Sequence, residues 1–75
     1  MYYKILHVPT CSFLKHNKGR ADTCFLVPTI AEYYLPELIE EADCVRRNQK
    51  TDLSVSNPWL KDVYSENEFE VMEFT

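Results

Sequence analysis

Glycine is almost missing from this chain: Gly19 is the one glycine in 75 residues. That leaves little backbone freedom for a phosphate-cradling loop or a strained nucleophile elbow. Cysteines are few and odd in number (Cys11, Cys24 and Cys44), so no disulfide framework is expected, and reduced thiols in a cytoplasm fit better. No run approaches the ~20 apolar residues of a membrane span. The opening MYYKILHV is too short and too weakly basic for a signal peptide. Positive charge is scarce as well. The net charge is −4, which argues against a general nucleic-acid binder, whose affinity rests on Lys and Arg at phosphates.

What is present favours folding. The chain is 45% hydrophobic and 13% aromatic, richer than a disordered segment, so residues 1–75 read as one small domain. A chain of this length buries only about 60% of its unfolded surface, so its ten aromatic residues must supply much of the core. The charge is uneven. Residues 1–25 carry Lys4, Lys15, Lys18 and Arg20 against Asp22, a net of +3, and residues 26–75 sum to −7. An acidic face of that kind suits a basic partner.

Tyr2 to Val8 alternates as a strand, with Tyr3, Ile5 and His7 on one face and Tyr2, Lys4, Leu6 and Val8 on the other. Pro9-Thr10 makes a turn, and Cys11 to Lys15 returns antiparallel. Thr23 to Val27 reads as a third strand. Thr29 and Glu32 have capping-box spacing, which predicts a short turn over 29–34. Ala31, Tyr34, Leu35, Leu38, Ala42 and Val45 recur at helical spacing. Because Pro36 is tolerated only at a helix start, the main helix is expected at 36–48; one long kinked helix is the alternative. Residues 50–58 read as a loop, with Leu53 and Val55 alternating like an edge strand. Asn57-Pro58 opens a short helix whose apolar face is Trp59, Leu60, Val63 and Tyr64. The last segment, Asn67 to Phe74, is a strand pairing with the first or third, with either both faces partly covered or a bulge.

Four residues in the first third are metal-ligand types: His7, Cys11, His16 and Cys24. Each neighbouring pair is mixed and the spacings widen, unlike paired structural zinc elements, so small packing cysteines and rim histidines explain them as well. Cys11 with His7 or His16 has the elements of a nucleophile and base, but lacks an oxyanion loop. No enzyme and no cofactor are expected. Lys15 to Arg20, beside Phe13, form a basic loop that could hold phosphates or simply solubilise a hairpin tip.

Glu37, Glu40 and Glu41 share a helix face at i, i+3 and i+4, where the macrodipole also favours them if the helix starts at 36. Glu66, Glu68, Glu70 and Glu73 make an acidic edge, which either meets a partner or prevents sheet-to-sheet pairing.

The stretch YKILHVPTCSFLK resembles the opening of short tailed-bacteriophage proteins of no assigned activity. These begin Tyr-Lys-Ile-x-His-x-Pro-Thr and end in a strand similar to EFEVMEF. Tyr3, Lys4, Ile5, His7, Pro9 and Thr10 match the first element, and Phe69, Val71 and Phe74 the second. The likeness covers about a quarter of the chain. Cys11 stands where glycine is expected after the threonine. The resemblance implies a phage source and a fold, and carries no catalytic residues.

Together these features predict an α+β fold: a small three- to four-stranded, mostly antiparallel sheet with one main helix packed on one face. The other face would be partly open, with Tyr2, Leu6, Phe13, Phe25 and Met72 exposed and marking a protein contact. The function expected is a non-enzymatic module that binds and modulates a host protein. Glu37, Glu40, Glu41, Glu66, Glu68, Glu70, Glu73, Tyr2 and Phe13 would be its contact residues, with no membrane contact. The alternative is a metal-stabilised or nucleic-acid-binding mini-domain using His7, Cys11, His16, Cys24 and the basic loop 15–20. A homodimer through the open sheet face is a third reading.

Overall fold

A computed structural model describes residues 1–16 and 21–75. The fold is α+β, with one three-stranded antiparallel sheet and one main helix. Strand β1 (Tyr2–His7) lies in the centre, between β2 (Ser12–Phe13) and β3 (Phe69–Phe74). Opposite β1, Tyr2 faces Phe74, Lys4 faces Met72, Ile5 faces Val71 and His7 faces Phe69. No residue is skipped in this register, so β3 has no bulge and both of its faces are partly covered. A 3-10 turn over Val8–Thr10 links β1 to β2, where Leu6 faces Phe13. The turn ends on Cys11 at φ 53° and ψ 40°, a left-handed conformation in which glycine is the least strained residue. The missing glycine has left that geometry in place.

Thr23–Val27 does not form the third strand. Only Phe25 pairs, exchanging both backbone hydrogen bonds with Tyr3 (2.7 and 2.8 Å) on the side of β1 where β2 has ended. The chain then leaves the sheet, because Pro28 starts helix α1 (Pro28–Arg46). Proline lacks an N–H and has a preset φ, so it suits the first helical position. Val27 is consequently the N-cap residue, with no side-chain cap, and Thr29 lies inside the first turn where it cannot act in a capping box.

Helix α1 is one element, not a turn followed by a helix at 36–48, and Pro36 lies in its interior. A proline there costs about 3 kcal/mol. Both Pro36 and Glu32, whose carbonyl loses its partner, are exposed, so water can serve that oxygen. The stripe Ala31, Leu38 and Ala42 is fully buried across the proline, with Tyr34, Leu35, Ile39 and Val45 packed beside it. Burying Leu38 alone offsets about 2 kcal/mol. The helix ends in a Schellman motif: Asn48 takes φ 65°, its N–H donates to Val45 O, and the Gln49 N–H donates to Cys44 O at 3.0 Å.

Residues 50–58 are not a loop with an edge strand. Asp52–Ser56 forms the short helix α2, opened by reciprocal bonds in which Thr51 Oγ1 accepts from Ser54 N and Ser54 Oγ from Thr51 N. A 3-10 helix over Pro58–Asp62 follows, burying Trp59 and Leu60, with Val63 buried just after it; Tyr64 is exposed. Asn57 precedes it without capping it. Its fully buried side chain instead accepts from Lys15 N at 2.8 Å and donates to the carbonyls of Lys15 and Leu53. The core lies between α1 and the sheet face of Ile5, Phe69 and Val71, closed from below by Leu14, Leu53, Trp59, Leu60 and Val63.

Candidate functional site

His7 is not a rim residue. It is fully buried, its ring stacked on Trp59 with centroids 5.0 Å apart and tilted against Phe69 at 5.2 Å. Nδ1 lies 2.7 Å from Thr10 Oγ1 and Nε2 lies 2.9 Å from Glu68 Oε1. A carboxylate can only accept, so Nε2 donates to Glu68. The second Glu68 oxygen accepts the N–H groups of Tyr64 and Ser65, both at 2.8 Å, closing the capping box that opens the 3-10 turn Glu66–Glu68. The His7 hydrogen bond, then the two backbone N–H groups, hold the Glu68 carboxyl below its ordinary value. Both imidazole nitrogens are thus engaged, and the pair ties the 8–10 turn to the approach to β3.

The other ligand-type residues sit apart from it. Cys11, His16 and Cys24 are exposed, and all three cysteines are free thiols. Among the described residues, no group of three or more His, Cys, Asp or Glu is placed to hold a metal ion. Of the basic loop, Lys15 and His16 are described, while residues 17–20 lie outside the described residues. His16 lines an open cleft of about 300 Å3 with Lys15, Thr23, Tyr34 and Leu53. A second cleft of about 430 Å3 is lined by Cys11, Ser12, Phe13, Lys15, Asp22, Ser56, Pro58 and Trp59.

The outer sheet face carries Tyr2, Lys4, Leu6 and Phe13 with Glu70, Met72 and Phe74, because these positions share the pleat. Its apolar members are only half-exposed. Tyr2 stacks on Phe74 at 5.5 Å and Phe13 meets the same ring edge-on at 5.8 Å. Lys4 Nζ lies 5.2 to 5.9 Å from all three ring centroids and 2.8 Å from Asp22 Oδ2, so its stem covers the rings. Lys15 takes the other Asp22 oxygen at 3.0 Å. The bonds from Lys4 and Lys15 outweigh partial burial and hold the Asp22 carboxyl below its usual range. Phe25, expected on this face, pairs with Tyr3 and so points to the helix, packing on Tyr34 at 5.9 Å.

The seven candidate carboxylates divide. Glu68 is committed to His7, and Glu73 accepts from the Tyr3 hydroxyl at 3.0 Å, which raises the Tyr3 pKa. Glu41 is half-buried, and its Oε2 has no hydrogen-bond partner among the described residues. Glu37, Glu40, Glu66 and Glu70 are exposed. Since α1 starts at Pro28, Glu37 to Glu41 lie mid-helix and the first turn holds no acidic residue, so the macrodipole does not account for them.

Sequence reasoning missed a run of exposed apolar residues at one helix entry. Leu26 (82% exposed), Val27, Ile30 (56%) and Tyr33 (76%) lie at the start of α1. The available signal was an excess: Ile30 and Tyr33 are apolar in addition to a complete core stripe on the same helix. Comparison with family models, with curated proteins and with solved structures finds no match to the chain in any of the three.

Proposed function

We propose that the chain is a non-enzymatic binding module that docks on a host protein and modulates or inhibits it, encoded by a phage and acting in the host cytoplasm. The source rests on the resemblance of its first and last strands. The observation that carries the binding role is the set of exposed carboxylates Glu37, Glu40, Glu66 and Glu70: the core requires none of them, and of the four only Glu66 stands in the first turn of a helix. Such groups repel one another and are favoured when they meet Lys or Arg on a partner, so the target presents a basic surface. Glu68 is no part of this surface, because it serves His7.

Affinity capture from host lysate tests the reading. The bait is compared with a variant in which Glu37, Glu40, Glu66 and Glu70 are changed to Gln, at low and at high salt. A specific partner retained by the first at low salt and lost with the variant is the expected result. Equal capture by both baits at both salt concentrations would remove the charge argument.

A further inference from the structure

We infer that the opening turns of α1 form the docking ridge, and that its occupant is a basic amphipathic helix of the partner protein. This rests on the reading of the chain as a binding module. Ile30, Tyr33, Glu37 and Glu40 stand at i, i+3, i+7 and i+10, one face of the helix, and all four are exposed. Leu26 and Val27 extend the apolar end at the helix entry. The ridge from Ile30 to Glu40 is about 15 Å long, which three turns of a partner helix span.

Charge selects the occupant. From Pro28 to Val45 the helix carries Glu32, Glu37, Glu40, Glu41 and Asp43 and no basic residue. Burial pushes the Tyr34 hydroxyl above its ordinary pKa, and the nearby carboxylates of Glu37 and Glu41 add to that shift. A second copy aligned along the ridge would set Glu37 and Glu40 against the same residues if parallel and against the apolar Tyr33 and Ile30 if antiparallel, so neither arrangement gives the carboxylates a cation. Nucleic acid has the wrong sign. A helix with Leu or Ile along one side and Lys or Arg beside it satisfies both ends of the ridge, its apolar side chains covering Ile30 and Tyr33 and its cations reaching Glu37 and Glu40.

The probe is a synthetic helical peptide with Leu in heptad positions and Lys between them; its control has Glu in place of Lys. Amide chemical shifts of the full chain are followed during titration. The expected result is that the Leu/Lys peptide shifts the amides of residues 26–40 and not those of the sheet. The double variant Ile30→Ser/Tyr33→Ser should weaken binding by at least about tenfold, while Glu37→Lys/Glu40→Lys abolishes it and the Leu/Glu control does not bind. No binding of the Leu/Lys peptide, shifts centred on β3, equal binding of both peptides, or an unchanged affinity of the Ile30→Ser/Tyr33→Ser protein each overturns the proposal. So does a concentration-dependent dimer dissolved by the same double variant. Lysate capture separates the two levels. A partner held equally by wild type and Ile30→Ser/Tyr33→Ser removes the ridge but keeps the module, and absence of any specific partner removes the module.

Discussion

The outer sheet face and the first turns of α1 both carry apolar side chains outside the core, and the fold treats them differently. On the outer sheet face Tyr2, Phe13 and Phe74 contact one another and lie under Lys4, which Asp22 holds in place. At the entry and first turns of α1, Leu26 and Tyr33 are about four-fifths exposed and Ile30 more than half. The sheet face has more rings and less bare surface. An apolar side chain therefore marks a contact site only where the fold supplies nothing to cover it. On the proposed reading, the residues that hold the chain together and those that meet a partner are separate sets.

That separation can be broken or sharpened by substitution. The largest loss is expected for His7→Ala, which empties a fully buried site stacked on Trp59 and leaves Glu68 and Thr10 without their partner. Urea denaturation should show about 4 kcal/mol lost, as for a buried aromatic truncation. Asn57→Ala comes next. It strands the Lys15 N–H and the carbonyls of Lys15 and Leu53, at about 3 kcal/mol for buried unsatisfied groups. A loss under about 1 kcal/mol would mean that water replaces the amide.

Lys4→Ala removes the cover from the sheet face and one partner of Asp22, and should lower the urea midpoint by less than Asn57→Ala does. It should also raise binding of a hydrophobic dye, and unchanged dye binding would contradict the covering role. The pH dependence is carried by Glu68 and Asp22, whose folded pKa values lie below their ordinary ones. The unfolded chain takes up protons first, so their stabilisation is whole at neutral pH and drains as pH falls below about 4. Thermal melts of Glu68→Gln should show a shallower loss in that range than wild type. An equal slope would leave Glu68 out of the acid transition.

Much of the fold is legible in the residues. Alternation in Tyr2 to His7 and the run of aromatic and apolar residues from Phe69 to Phe74 announce the two long strands, and the stripe from Ala31 to Val45 announces the helix. Its limits are not legible locally. Pro36 reads as a start because its cost is local, whereas the burial that offsets it depends on the sheet. Thr51 and Ser54 cap α2 with a serine where a glutamate is the usual signal, so Leu53 and Val55 pass for a strand. The roles of His7, Asn57 and Glu68 join positions 61 and 42 residues apart, which no window along the chain contains. Cys11 is the instructive case in the other direction. The resemblance expects glycine there, and the backbone takes the left-handed conformation glycine would favour.

The central claim is that stability and partner contact occupy different residues. Its most direct test is the urea midpoint of Ile30→Ser/Tyr33→Ser, a change of two exposed side chains on the longest helix. The account predicts a midpoint matching wild type, with a free-energy change within about 0.5 kcal/mol. A fall comparable to that of His7→Ala would show that the ridge belongs to the core and is not free to receive a partner.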